Sequence, residues 1–370
     1  MTVIYGLLLL DVLVFVHELG HFFLAKKCGV TVESFSIGMG PVLAHKKICG
    51  TDWRISLFPV GGYCGMKGEK NASEEDEFVA HDKDSLYGTL PIFRATIGFA
   101  GPFFNMMFSF LAYCVIAWVG YTYYSAGNTI TLATDLYPDM HSAAADAGLM
   151  SGDKVVRIGE KKISDFSDLY SEVAVNPDKD LDFEVLRDGQ TLHFVVHTDF
   201  DKSSGTGKIG VVSDKDSVQK KESERFSFFP GLFQGAKETF STIKLTIKGI
   251  SLLFKGADVT KSVSGPARIT TMLGGTAKAG FSENFRTGLC SVLEFMSLIS
   301  VSLFIMNLLP IPILDGYLVL TSLIETFFHV RVSSKVRVVV QYVGIALIAL
   351  LFAIAMTGDI KYFIGVLAKK

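Results

Sequence analysis

The segment VIYGLLLLDVLVFVHELGHFFL at residues 3–24 decides how this chain folds. It is apolar over about the 20 residues that an α-helix needs to cross a bilayer, so it predicts a transmembrane helix. The sequence HELGH at residues 17–21 lies inside this segment and carries three ionisable side chains. Because such groups are costly at membrane depth, they indicate a functional site within or near the membrane.

The HELGH sequence has the H-E-x-x-H spacing of a zinc-dependent protease. His17 and His21 are about 6 Å apart along the helix axis, on one face, so both rings can reach one zinc ion. Glu18 lies on a neighbouring side of the same turn, where a carboxylate can act as a general base on water. The alternative interpretation is a buried structural cluster of histidine and glutamate.

Three more apolar segments predict transmembrane helices, at about residues 95–120, 289–309 and 338–356. The PIP sequence at residues 310–312 breaks the chain after the third span, and a shorter apolar helix resumes from Asp315 to about Phe328. Unwound backbone at membrane depth must be buried in protein or line a cavity, so this break is a second candidate for the site.

A catalytic zinc ion usually has three protein ligands, so the two histidines require a third. Asp315 is the strongest candidate because it sits at the helix break, although it could instead cap the helix that begins there. Glu294 is a weaker candidate, near the outer edge of the membrane.

Composition bounds the class of protein. The chain has 370 residues, which predicts one to three domains, and 49% of them are hydrophobic, a high share for a soluble enzyme. The net charge of −2 gives no reason to expect a nucleic-acid partner.

The five cysteines have no metal-site spacing, and none falls within residues 121–224, so we expect free thiols. The N-terminus lacks the basic region and cleavage site of a signal peptide, so residues 3–24 are expected to be retained.

Basic residues predict the orientation in the membrane. Lysines follow the first span and basic residues separate the third from the fourth, which places both loops in the cytoplasm and residues 121–288 outside.

We expect four regions: 1–120 with two spans and a cytoplasmic β-loop at 31–68; 121–215 as a soluble module; 216–288 as an amphipathic region on the membrane surface; and 289–370 with the last two spans.

The soluble module shows strand patterns at residues 130–132, 154–158, 181–186 and 192–196, with a hairpin turn at 187–190. One helix is expected over residues 164–175, with Ser164 as its N-cap. Residues 228–255 form an amphipathic helical pattern with a lysine stripe, which favours the membrane surface; packing on the soluble module is the alternative.

Three sequences in order carry a resemblance to a known family. HELGH at 17–21, GPFFN at 101–105 and NLLPIPILDG at 307–316 resemble the three signatures of the site-2 protease family, in the bacterial branch that cleaves membrane-bound anti-sigma factors. The resemblance implies that His17, His21 and Asp315 hold zinc and that Glu18 is the catalytic base and acid.

The same resemblance implies how a substrate is held. The β-loop, with Gly61 and Gly62, and the region around Asn307, including Pro310 and Pro312, would bind an unwound transmembrane segment. Asn105 could offer its amide to the same backbone, or it could hydrogen-bond between helices beside a tight Gly101–Pro102 contact.

Residues 145–156, ADAGLMSGDKVV, resemble the most typical stretch of a PDZ domain of this family, and they include Gly148, Leu149, Gly152 and Asp153. Such domains bind peptides by strand addition. A single copy fits this chain. Asp11 departs from the family pattern, which has an aliphatic residue there; it could tune Glu18 or substrate access, or it could reach the outer interface or a polar partner.

These observations predict a polytopic α-helical membrane protein with four transmembrane helices, a membrane-associated β-loop and one extracytoplasmic PDZ-like α+β domain. We expect a zinc-dependent intramembrane endopeptidase in the bacterial inner membrane, with its active site toward the cytoplasm. Its partners would be the lipid bilayer, a single-span protein already cut on its outer side, such as an anti-sigma factor, and a peptide at the PDZ groove. Remnant signal peptides are an alternative substrate, and a PDZ scaffold or an ion-coupled transporter is an alternative class.

Overall fold

The computed structural model describes residues 2–69, 82–202, 204–214, 217–253, 265–330 and 334–367. The chain divides into two compact units. The first comprises Met1–Val119, Arg225–Ile243 and Gly265–Lys370, and the second comprises Gly120–Glu224 and Lys244–Ser264. The acidic and polar stretch at residues 69–88, where the sequence predicts a cytoplasmic loop, lies mostly outside the described residues.

The first unit is helical apart from one small sheet. Its elements are α1 (Thr2–Lys27), β1 (Val32–Ile48), β2 (Thr51–Met66), α2 (Pro91–Val119), most of α6 (Phe228–Leu253), α7 (Pro266–Glu283), α8 (Phe285–Asn307), α9 (Asp315–Phe328) and α10 (Ser334–Leu367). Within the described residues, four helices are long and apolar enough to cross a membrane: Val3–Lys27, Pro91–Val119, Phe285–Asn307 and Val339–Ile364. The four predicted apolar helices are therefore confirmed as helices, and so are the break after the third and the short helix from Asp315 to Phe328.

The predicted β-loop is an antiparallel sheet in which both long strands bend. Ser34 pairs with Gly65 on one side and with Asp52 on the other, while Lys47 pairs with Asp52. The sheet therefore has four segments in the order 62–66, 32–37, 51–56 and 42–48. The 62–66 segment is at one edge, and Phe35 at the sheet centre is fully buried against Phe15, Phe22 and Trp53.

Glycine lets the helices of the first unit approach closely. A Cβ on Gly20 of α1 would lie 2.4 Å from the Ala100 carbonyl oxygen of α2, and one on Gly6 would lie 1.9 Å from the Thr270 carbonyl oxygen of α7. Small residues at such crossings let backbones pack where the bilayer supplies no hydrophobic driving force.

A buried ion pair joins the start of α2 to the end of α9. The Arg94 guanidinium, with 4% of its side chain exposed, donates to the Glu325 carboxylate and, over 2.9 Å, to the Ser322 hydroxyl. Its guanidinium carbon also lies 5.1 Å from the centre of the Tyr87 ring. The pair fixes the far end of the helix that begins with Asp315.

The second unit is an α+β module around one hydrophobic core. It contains β3 (Thr122–Ser125), β4 (Ile130–Leu132), α3 (Ala133–Leu136), α4 (Ala143–Asp146), β5 (Lys154–Ile158), β6 (Lys161–Lys162), α5 (Phe166–Ala174), β7 (Asp180–Arg187), β8 (Gln190–His197), β9 (Asp199–Asp201), β10 (Thr206–Lys208), β11 (Val211–Ser213) and β12 (Gln219–Glu222). Its largest sheet has the order β6-β5-β7-β8, and its core includes Leu149, Val155, Leu169 and Phe183. All four strands predicted in this module are present.

One expectation about local structure changes. The N-cap of the helix predicted at residues 164–175 is Asp165, one residue after the predicted Ser164. The Asp165 carboxylate accepts a hydrogen bond from the Asp168 amide over 3.0 Å. A carboxylate reaches that amide as well as a hydroxyl does, so sequence preference alone does not separate the two.

The region predicted at 216–288 holds two long helices: α6 forms over the amphipathic pattern predicted at 228–255, and α7 follows it. Part of α6 packs on α2, where Trp118 stacks on Phe228 with ring centres 5.2 Å apart and Tyr113 hydrogen-bonds to Thr242. The expected location on a membrane surface stays a prediction.

Candidate active site

The candidate site joins one turn of α1 to the first residue of α9. His17 Nε2 lies 3.0 Å from Asp315 Oδ2, and His21 Nε2 lies 3.3 Å from Asp315 Oδ1. The two Nε2 atoms are 3.2 Å apart. Among the described residues, these three are the one group of His, Cys, Asp and Glu side chains close enough to share a metal ion. The structure therefore brings together the three residues predicted as zinc ligands.

The distances fit a zinc ion. Ligand atoms about 2.0–2.1 Å from zinc in a tetrahedron are roughly 3.3 Å from one another. The three separations observed here, 3.0, 3.2 and 3.3 Å, are close to that value. Two neutral imidazoles and one carboxylate also match the ligand types of catalytic zinc sites, which leave a fourth position open.

His21 is oriented by the backbone of α2. Its Nδ1 donates to the carbonyl oxygen of Ile97 over 2.9 Å, and the side chain is buried. A proton on Nδ1 leaves the lone pair of Nε2 pointing toward His17 and Asp315, which is the tautomer that a metal ligand needs. Sequence analysis missed Ile97 because a backbone carbonyl has no signature in side-chain identity.

Asn105 plays the same part for His17. Its side chain is fully buried, and its amide lies 3.1 Å from His17 Nδ1, while its Oδ1 has no hydrogen-bond partner. Turning the amide by 180° exchanges its nitrogen and oxygen, so that His17 Nδ1 can donate to Oδ1. Nε2 of His17 is then free to bind a metal. We therefore interpret Asn105 as a partner of His17 rather than as a contact to substrate.

Gly101 makes room for the two imidazoles. A Cβ at this position would lie 2.2 Å from His21 Nε2 and 2.8 Å from His17 Nε2. Any side chain here would occupy the space in which the ligand atoms meet. The tight Gly101–Pro102 contact predicted from sequence is thus a contact with the site itself.

Asp315 does not cap its helix. The N-cap of α9 is Leu314, and Asp315 is the first helical residue, with both carboxylate oxygens turned to the histidines. The preceding turn is strained, since Ile313 has a φ of 86°, a value that a β-branched residue adopts at a cost of order 1–3 kcal/mol. Glu294, the weaker ligand candidate, is not part of the cluster.

Glu18 lies beside the cluster in a cavity of about 1180 Å³. Its carboxylate faces the backbone amide of Cys64, in the edge segment 62–66. The cavity wall also includes Gly61, Gly62, Asn307 and Leu314. Pro310 and Pro312 form the break just before Asp315, and the Pro312 carbonyl oxygen would be 2.4 Å from a Cβ on Gly344 of α10.

The predicted PDZ residues lie in a turn of the second unit. Gly148 and Gly152 have φ values of 92° and 97°, and Leu149 is buried in the core. Asp153 is buried, and both of its oxygens accept from Arg187 over 2.7 Å. Burial alone would raise the pKa of Asp153, but hydrogen bonds from Arg187 and the Met150 amide outweigh it and hold that pKa below its ordinary value. In this structure the four residues build the turn and its packing.

Comparison with known proteins agrees with this geometry. A family model described as Peptidase family M50 matches residues 5–351. A protein of Treponema pallidum is 33% identical over 444 residues, covering 97% of this chain and 99% of its own length. A protein of Campylobacter jejuni is 34% identical, covering 97% of this chain and 93% of its own, and one of Helicobacter pylori is 30% identical, covering 96% and 98%. All three carry the provisional name of zinc metalloprotease.

Proposed function

This chain belongs to peptidase family M50, the site-2 proteases, and is a multi-pass zinc metalloprotease, and we propose that it cleaves the transmembrane segments of single-span membrane proteins inside the bilayer. The observation that carries the proposal is the position of the cluster. His17 and His21 lie inside a helix long enough to cross a membrane, and Asp315 follows the break after another. A scissile bond must therefore reach membrane depth to meet them.

The residues divide the chemistry among them. We assign His17, His21 and Asp315 as metal ligands, with Ile97 and Asn105 holding the two imidazoles. A bound zinc ion supplies Lewis acidity that makes water a better nucleophile and a peptide carbonyl a better electrophile. Glu18 takes a proton from water and delivers it to the leaving amine.

The edge segment 62–66 offers a place for an unwound substrate. It pairs with residues 32–37 on one side and borders the cavity on the other, and the Cys64 amide there faces Glu18. A substrate added as a further strand would satisfy its own backbone and expose its peptide carbonyls, which a helix hides. Gly61, Gly62 and Asn307 support this pairing because they line the same cavity.

The substrate class is proposed from the family to which the chain belongs. We propose single-span proteins already shortened on their outer side, such as anti-sigma factors, with remnant signal peptides as a second class. The orientation proposed from basic residues places the site toward the cytoplasm of a bacterial inner membrane, with the second unit, a PDZ-like module, outside. A peptide at the groove of that module is a proposed partner.

Replacing Glu18 by glutamine tests the mechanism, because it removes the base and leaves the metal ligands intact. We expect Glu18→Gln to retain zinc at the wild-type ratio and to lose at least 1000-fold in cleavage of a single-span reporter protein. A general base typically contributes about 10²–10⁴-fold to the rate, and this loss lies in the upper half of that range. Zinc content by elemental analysis and fragments by immunoblot give the two readings.

Glu294→Gln is the matched control, since Glu294 is also a carboxylate in a predicted span but lies outside the cluster. It should keep both zinc and cleavage. Persistent cleavage by the Glu18→Gln protein would overturn the mechanism. Loss of zinc from wild-type protein with no change in partner binding would favour a scaffold.

A further inference from the structure

Asp11 and the backbone of β2 meet at a point where each needs a partner. Asp11 lies in α1, where an ionisable side chain is costly unless it is compensated. The register of the β-loop passes from the Ile37–Gly62 pair to the Met39–Phe58 pair, and among the described residues 59–61 have no register partner. The Gly61 amide lies in this gap in the register, and a backbone amide needs a hydrogen-bond partner in the same environment.

The Asp11 carboxylate faces this amide. The contact sets a carboxylate acceptor beside a backbone N–H donor, and each would be costly alone at membrane depth. Gly61 is also where the chain bends, with a φ of 89°.

A second contact of the same kind lies farther along both elements. Glu18 faces the Cys64 amide as Asp11 faces the Gly61 amide. Seven residues of helix rise about 10.5 Å, and three residues of strand rise about 10 Å, so the two spacings match. Between them, Gly62 lies close to α1: its Cβ would be 3.6 Å from Val14 and 3.7 Å from Glu18.

We propose that Asp11 is a positioning residue, which docks the bend of β2 on α1 and so holds the edge segment 62–66 at a fixed distance from Glu18. This inference rests on the proposed function, because the edge segment matters to catalysis only if it receives substrate. The chemical requirement is a hydrogen-bond acceptor at residue 11, not a negative charge. Asparagine should therefore replace aspartate, and leucine should not.

The native thiol of Cys64 reports this docking independently of activity. It is 6% exposed, while Cys114 and Cys290, elsewhere in the same unit, are fully buried and serve as internal references. The full-length protein in detergent is treated with N-ethylmaleimide, and labelling of each cysteine is followed by mass spectrometry of its peptide. Asp11→Leu, Asp11→Asn and the neighbouring Leu10→Ala are compared with the wild type.

We expect Asp11→Leu to raise the labelling rate of Cys64 relative to Cys290 at least 5-fold, and Asp11→Asn and Leu10→Ala to leave the ratio within 2-fold. With a single-span reporter and at unchanged zinc content, Asp11→Leu should act mainly on KM. The factor by which KM rises should be about 10 times the factor by which kcat falls. An unchanged Cys64 to Cys290 ratio in Asp11→Leu overturns the proposal, and so does a parallel rise at all three cysteines. A protein that cleaves no reporter contradicts the proposed function, while the labelling ratio still decides the docking.

Discussion

Individual side chains of the site are held by groups that have no catalytic chemistry of their own. The Ile97 carbonyl and the Asn105 amide fix the two imidazoles, and Gly101 leaves the space in which they converge. Such outer partners set the tautomer and direction of a ligand before any metal binds. The affinity of the site should therefore depend on residues that never touch the ion.

Asn105 gives the clearest test of this dependence. We expect Asn105→Leu, similar in size but unable to accept from His17 Nδ1, to weaken zinc binding about 10- to 100-fold. Asn105→Asp should retain most of the affinity, since a carboxylate accepts the same hydrogen bond. Competition with a zinc chelator on purified protein in detergent measures both values.

Ser109→Ala is the control for that series. Ser109 is also fully buried and lies one turn farther along α2, where it donates to the Ser297 carbonyl rather than to a ligand. Its loss should leave zinc affinity unchanged. Equal affinities for Asn105→Leu and the wild type would show that Asn105 does not hold His17.

At the scale of elements, α9 has to be fixed along its length if Asp315 is to stay on the histidines. Its N-terminal end is packed on α2, where a Cβ at Gly98 would lie 3.2 Å from Val319. Its C-terminal end is held by the Arg94–Glu325 ion pair. Both contacts are made by α2, the helix that also supplies Ile97, Gly101 and Asn105, so one helix aligns all three ligands.

The ion pair should show the behaviour of a buried pair. We expect Arg94→Met to destabilise the protein by about 3–5 kcal/mol, because it leaves the Glu325 carboxylate buried without its counter-ion. The double variant Arg94→Met/Glu325→Leu should recover most of that loss, since an apolar pair of similar volume carries no desolvation cost. Thermal or denaturant unfolding in detergent gives the three free energies.

Arg157→Met provides the matched control for the single substitution. Arg157 pairs with Glu184 over 3.5 Å in the second unit, with 57% of its side chain exposed, so its loss should cost less than about 1 kcal/mol. A double Arg94/Glu325 variant no more stable than Arg94→Met would contradict the account of this pair.

At the scale of the whole molecule, the chain separates a helical unit with four candidate spans from an α+β unit inserted between the second and third. The distribution of lysine and arginine predicts that the β-loop is cytoplasmic and the α+β unit is on the other side. This orientation is a proposal, and the contacts described within each unit are the same in either orientation.

Cysteine labelling in intact cells tests the orientation. Cys49 is exposed at the turn between β1 and β2, so we expect a membrane-impermeant maleimide to leave it unlabelled until the cells are permeabilised. A cysteine introduced by Thr191→Cys, at an exposed position of β8, should be labelled in intact cells. The reverse pattern would show that the protein is inserted the other way round.

The sequence by itself determined the elements and most of the chemistry. Apolar length predicted four spans, the prolines at 310 and 312 predicted the break, and alternation with glycines predicted the β-loop and the strands of the second unit. The H-E-x-x-H spacing determined two ligands and a base, because 3.6 residues per turn put His17 and His21 on one face. These are local properties, which neighbours along the chain can specify.

Tertiary structure decided what comes from distant parts of the chain. It brought Asp315 within 3.0 Å of a histidine 298 positions earlier, assigned Asn105 to His17, and paired Arg94 with Glu325. It also placed the Asp11 carboxylate beside the backbone amide of Gly61. The physical reason is that a polar group in a low-dielectric environment needs a partner in space, and residue order does not say which backbone amide or side chain will be there.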